Sequence, residues 1–262
     1  MTETPLDTAH AAMEAAPEDE PARLRFYERL ADSELFLLLM EEARGDTLKP
    51  EVFDLPEASY TLAFDREERL AQFAGRPAPY AALPGRVIAA MAAGAGVGLG
   101  VNLDVAPSAI LIPPDATAWL ADTLSHAPDE VEARIEAFLP PAGLPDTLLT
   151  GLDAKLARAA GLARCAYLVA VRYDSGTKGH LLAIVDAAEG AEGALARAVN
   201  EALAFSGIEA GALDVGFFAA SDPAAAHLAK AGLRFDLPEP PEQASRPAAA
   251  PGRDPEKPPI LR

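Results

Sequence analysis

The 262-residue sequence holds one cysteine, one tryptophan and four histidines, and aromatic side chains make up only 6% of it. With Cys165 the only thiol, no intramolecular disulfide can form. The opening Met1-Thr-Glu-Thr-Pro lacks the basic and apolar regions of a secretory leader, so a cytoplasmic location is expected. His10, His126, His180 and His227 contain no i, i+4 pair and no neighbouring cysteine. Zinc-site spacing is therefore missing, and neither a metal nor another cofactor is expected. No serine sits in a G-x-S-x-G elbow, and Cys165 opens an apolar strand, where a lone thiol reads as core.

Basic residues are also scarce, 22 against 40 acidic, for a formal net charge of −18. Such a field repels a polyanion, which argues against nucleic acid as a partner. The excess is spread: 9 acidic against 3 basic residues in 1–34, 12 against 6 in 35–127, 15 against 9 in 128–238, and 4 against 4 in 239–262. That distribution favours solubility over a binding patch. The longest apolar run, around Val105 to Pro114, is interrupted by Pro107 and is too short for a bilayer, so no membrane role is expected.

What the chain does have is 50% hydrophobic residues, many of them alanine, which predicts finely packed aliphatic cores. Its length favours two domains over one. The predicted fold is α+β with α/β character: two consecutive domains, each a mixed sheet packed with helices. Residues 1–20 show no stable period and read as a flexible lead; a helix then opens near Pro21. The continuous apolar run Glu34–Met40 predicts a strand covered on both faces, in the middle of a sheet. Ser59–Phe64 predicts another, followed by a helix capped by Asp65 and closed by Gly75. Helices are expected over Leu83–Ala93 and Asp115–Leu124, which brings the first domain to 21–127.

Residues 128–146 are rich in Pro, Asp and Glu and read as a linker with a short amphipathic helix holding Val131, Ile135 and Leu139. The second domain, 147–238, begins with a helix bearing Leu148, Leu152 and Leu156. Strands at Ala166–Tyr173 and His180–Asp186 flank the turn Asp174–Gly179, a hairpin pattern. A helix over Ala191–Phe205, a strand at Leu213–Phe218 and a last helix at Pro223–Gly232 complete a mostly antiparallel sheet with helices. The Pro/Ala-rich residues 239–262 are expected to be disordered.

The stretch GAGVGLGVNLDVAPSAILIPP, Gly94 to Pro114, is the most distinctive in the chain. A dinucleotide fingerprint follows a strand and opens a helix, whereas these glycines alternate strictly, follow a helix and enter a strand; the Gly-Lys-Ser/Thr of a Walker loop is absent. The run therefore reads as a glycine helix stop merging into a strand. Asn102 and Asp104 alternate with Val101, Leu103 and Val105, so both would project from one strand face with Ser108 just beyond. That is either an exposed face ending in turn formers or the best candidate for a ligand pocket, formed by Asn102, Asp104 and Ser108 beside Gly96, Gly98 and Gly100.

The segments TLAFDREERLAQFAG, ALPGRVIAAMAAG and GLGVNLDVAPSAILIPPDATAWL together resemble the N-terminal domain of the SseB (enhanced serine sensitivity) family, over roughly residues 20–125. Residues 150–237, with GALDVGFFAASDP and the closing RFD, look like the domain that follows it in many members. The resemblance implies a bacterial cytoplasmic protein with an indirect link to serine sensitivity and supplies no catalytic residues. The leading expectation is a non-enzymatic binding or adaptor protein with a protein partner. The alternatives are a small-molecule sensor using Asn102, Asp104 and Ser108, and an enzyme whose site assembles from residues distant in sequence.

Overall fold

The computed structural model describes residues 3–43, 47–126, 134–207 and 213–238. The first unit opens with α1 (Pro5–Ala15) and α2 (Glu20–Asp32), then β1 (Glu34–Leu38), β2 (Val52–Asp54), β3 (Ser59–Phe64), α3 (Glu67–Ala74) and β4 (Tyr80–Pro84). It closes with α4 (Gly85–Gly94), β5 (Gly98–Val101), β6 (Ile110–Ile112) and α5 (Pro114–Ser125). Its sheet runs β4-β1-β3-β5-β6, with β2 also paired to β3; β3 and β5 are parallel and the other pairs antiparallel.

Both faces of this sheet are covered, which explains the unbroken apolar run of β1. Leu35, Leu37 and Leu39 pack with Phe26, Leu30, Ile88 and Leu120 of the helices on one side. Phe36 and Leu38 meet Leu62, Phe64 and Leu70 on the other. The glycines of β5 serve the same packing. A Cβ on Gly98 would lie 2.5 Å from the Tyr60 ring, and one on Gly100 2.5 Å from the Leu62 side chain, so neighbouring side chains lie directly over the bare backbone.

The second unit comprises β7 (Ile135–Leu139), α6 (Asp146–Leu156), β8 (Cys165–Tyr173), β9 (Lys178–Val185), α7 (Glu192–Phe205), β10 (Leu213–Phe218), α8 (Pro223–Ala231) and β11 (Leu233–Asp236). Its sheet runs β10-β9-β8-β11, with β7 also on β8; β10 and β9 are parallel and the rest antiparallel. Leu168, Leu182 and Ile184 face α6 and α7 through Leu148, Leu152, Leu195 and Val199. Cys165 and Val169, on the opposite face, pack with Leu228 of α8. The thiol is core, as its apolar surroundings predict.

Three expectations are corrected. Residues 5–15 are not a flexible lead but a helix, opened by a capping box in which Thr4 and Asp7 bond each other's backbone N–H, with Pro5 in the first turn. It is docked by buried Leu6, Asp7 and His10, so a buried polar face does what an apolar stripe usually does. Residues 135–139 are a strand, not a helix. Pro140 and Pro141 disfavour a helical turn before them, and pairing with β8 settles the backbone as extended. Asp65 caps no helix: the α3 N-cap position is Arg66, without a side-chain cap, and Asp65 is committed elsewhere. Val131 and the tail 239–262 lie outside the described residues.

The units meet through α7. Phe205, at its end, is 2% exposed and belongs to the core of the first unit, with its ring edge-on to Trp119 at 6.4 Å.

Candidate functional site

Two buried ion clusters position the surfaces that a ligand could use. The first lies at the carboxyl ends of β3 and β5. Arg69 of α3, 2% exposed, bridges Asp7 (2.5 and 3.0 Å) and Asp65 (2.8 Å). Ser108 donates to Asp7 Oδ1 at 2.5 Å, Thr4 donates to Asp65 at 2.6 Å, and Asn102 donates to Ser108 Oγ at 2.9 Å while accepting from Asp65 N at 3.1 Å. Burial pushes the Asp7 carboxyl up, but hydrogen bonds from Arg69, Ser108 and Thr4 outweigh it and hold it well below the carboxylate range. Burial likewise works against the Arg69 cation, and Asp7 and Asp65 reverse it upward.

The predicted pocket residues fall around this cluster in an arrangement other than the expected one. Asn102 and Asp104 are not on a strand: β5 ends at Val101, and both take left-handed backbone, φ 50° and 59°, in the turn leading to β6. Asn and Asp tolerate this region better than other side chains, which is what lets the chain reverse here. Asn102 and Ser108 are fully buried and bonded to each other, with Ser108 reaching Asp7, whereas Asp104 is exposed. Gly96, φ 67°, is the exposed turn after α4, while Gly98 and Gly100 are buried in β5.

The second cluster joins the two units. Lys155 of α6, 5% exposed, contacts Asp32 of α2 at 2.9 Å, Glu201 of α7 at 2.9 Å and Glu28 of α2 at 3.7 Å. Arg86 of α4 reaches Asp32 at 2.6 Å and Glu201 at 2.8 Å, and Arg158 reaches Asp32 at 3.0 Å. Burial opposes the Asp32 carboxylate, yet Lys155, Arg158 and Arg86 bring it below its ordinary value; burial dominates at Glu28 and pushes it up.

Above this cluster opens a cleft of about 380 Å³, walled by Pro84 and Arg86 of the first unit and by Arg158, Leu162, Ala194 and Arg197 of the second. A second cavity of the same size lies between β2 and α4 and is almost wholly apolar, with Val52, Ile88 and Met91 in its wall. A third, about 430 Å³, lies where α1 and α2 face α6 and α7. Asn102, Asp104 and Ser108 line none of these three.

Residues 9–119 match the family model of the SseB protein N-terminal domain. The first unit is an SseB domain. Comparison with curated proteins and with solved structures returns no match. The matched span covers α2 through the middle of α5 and most of α1, so the SseB unit contributes Arg69, Asn102 and Ser108 to the first cluster and Asp32 and Arg86 to the second. No described helix is long and apolar enough to cross a membrane.

Sequence reasoning missed Lys155, Glu201, Asp32 and Arg86. Lys155 carried a signal: it lies seven residues after Leu148 and three after Leu152, on the apolar stripe of its helix. A charge at such a position marks a buried partner elsewhere.

Proposed function

We propose that the protein is a non-enzymatic binding protein whose SseB unit and C-terminal unit form one receptor, with the junction cleft as its ligand site. The observation that supports this reading is the cleft itself, whose walls come from both units. Its volume of about 380 Å³ lies within the range of small-molecule sites. The paired charges beneath it fix the wall-bearing helices to one another, so the concavity is preorganised. A ligand seated there touches both units, and its affinity depends on how they sit together, which is the coupling a sensor uses.

The test is a thermal-shift panel of metabolites on the full chain, serine and related amino acids included, repeated with Ala194→Trp. Ala194 is exposed on the cleft rim, so the indole fills the cleft without entering a core. At least one compound is expected to raise Tm saturably in the parent and not in the variant. A stabiliser indifferent to Ala194→Trp would overturn the assignment.

An adaptor role is the second reading, favoured by the apolar cavity beside β2, where Val52 is 47% exposed. A protein partner recovered with the native chain and lost on Val52→Asp would support it.

A further inference from the structure

We infer that the junction cleft takes a small organic anion, whose carboxylate or phosphate is held by Arg197 and Arg158 beside Arg86. This rests on the cleft being the ligand site.

In a chain of net charge −18, the cleft is lined by four cations, Arg86, Lys155, Arg158 and Arg197, against two carboxylates, Asp32 and Glu201. Glu28, just outside the lining, is the third carboxylate of the cluster and leaves the balance still positive.

The carboxylates are already engaged. Asp32 takes Arg86 and Lys155 on Oδ1 and Lys155 and Arg158 on Oδ2; Glu201 takes Arg86 on both oxygens and Lys155 on Oε2. The cations are not equally engaged. Among the described residues Arg197 makes no ion pair, and Arg158 uses one guanidinium nitrogen, Nη1, for its contacts with Asp32. Arg197 is exposed and Arg158 about half exposed, so both present free N–H groups to the opening, in the planar fork that suits carboxylate and phosphate.

The remaining wall is apolar, with Ala159, Leu162, Ala194 and Ala198. Cationic groups beside an apolar wall fit a ligand with one anionic end and a short carbon body, and they disfavour an extended polyanion, which the acidic surface repels.

The experiment titrates the full chain with succinate, with inorganic phosphate and with uncharged succinamide, at ionic strength held constant with chloride, reading Tm. Succinate or phosphate is expected to give a saturable rise, on the order of 5 °C at a hundredfold excess over Kd, and succinamide none. The stronger arm identifies the anionic group.

Arg197→Ala is expected to weaken the response at least about tenfold, as loss of a charge-assisted hydrogen bond does, and Arg197→Lys to retain part of it. Since Arg197 has no ion pair to lose among the described residues, the Tm of unliganded Arg197→Ala should match the parent, which separates binding from folding.

An equal response in Arg197→Ala, an equal response to succinamide, or no response to either anion overturns the anion inference. In those cases a neutral stabiliser blocked by Ala194→Trp would leave the cleft reading standing. An anion response that survives Ala194→Trp overturns the cleft reading itself.

Discussion

Arg69 in the SseB unit is 2% exposed and meets two carboxylates, Asp7 and Asp65; Lys155 at the junction is 5% exposed and meets three, Asp32, Glu201 and Glu28. The first cluster has one cation for two anions, and the deficit is met by hydrogen bonds from Thr4 and Ser108, with Asn102 orienting Ser108. Its charged side chains are buried, and it fastens α1 to the ends of β3 and β5. The second brings Arg86 and Arg158, both partly exposed, to the same carboxylates as Lys155. Its three cations balance its three carboxylates, and Arg197 beside them gives the adjoining cleft a positive surplus. A buried pair with no spare partner acts as a staple; a shared one with exposed members acts as a joint beside which a ligand can sit.

The sharpest way to break this comparison is Arg69→Met. Two carboxylates are left buried without a cation, a loss of about 3–5 kcal/mol when one member of a buried pair is removed. At roughly 2–4 °C per kcal/mol for a chain of this size, Tm should fall by roughly 10 °C, read by calorimetry. A fall under about 2 °C would show that the cluster does not fasten α1.

Lys155→Met should cost less, about 1–3 kcal/mol, because Arg86 and Arg158 remain on Asp32 and Arg86 on Glu201. Its signature is also different. The joint loosens while each core is untouched, so the calorimetric transition should broaden or split, whereas Arg69→Met lowers it as the SseB unit fails first. A single sharp transition in Lys155→Met would mean that Phe205 and the remaining Arg86 and Arg158 pairs couple the units without Lys155.

Acid titration distinguishes the carboxylates by sign. Asp7 and Asp32 are held below their ordinary values, so their contribution is complete above the unfolded carboxylate range and is lost as pH falls below about 4. Glu28 is raised, so its contribution is present at low pH and declines as pH rises past about 4.3. Stability should therefore drop steeply in acid, and Asp7→Asn should flatten that limb by up to about 1.4 kcal/mol per pH unit, the value of one proton. Urea midpoints between pH 2 and 6 measure it; an unchanged slope would place the acid sensitivity at Asp32.

Much of the frame was legible in the sequence. β1 declared itself by an apolar run that only a doubly covered strand requires, and α6 and α7 by their leucine and valine stripes. The N-terminal helix was legible too, in Thr4-Pro5-Leu6-Asp7, a capping box that its irregular apolar period obscured. The turn at Asn102 was not, because Val101, Leu103 and Val105 continue a strand alternation until two left-handed residues break it. Neither cluster could be read out: Lys155 is out of place on its stripe, but Asp32 lies 123 residues away and Glu201 46, and sequence spacing carries no information on such pairings.

The smallest expected effect separates Asn102 from Asp104, which look alike in sequence and in backbone. Asn102→Gly keeps an easy left-handed turn but removes the contacts to Asp65 N and Ser108 inside a closed site, so about 1–3 kcal/mol should be lost. Asp104→Gly removes an exposed side chain from φ 59°; relief of left-handed strain is offset by the greater freedom of glycine in the unfolded chain, leaving a change within about 0.5 kcal/mol. Urea denaturation compares the two directly. Equal losses would mean that Asp104 holds the turn as Asn102 does, and that the staple reaches the surface of the SseB unit; unequal losses confine it to the buried face, with Asp104 free of any structural duty.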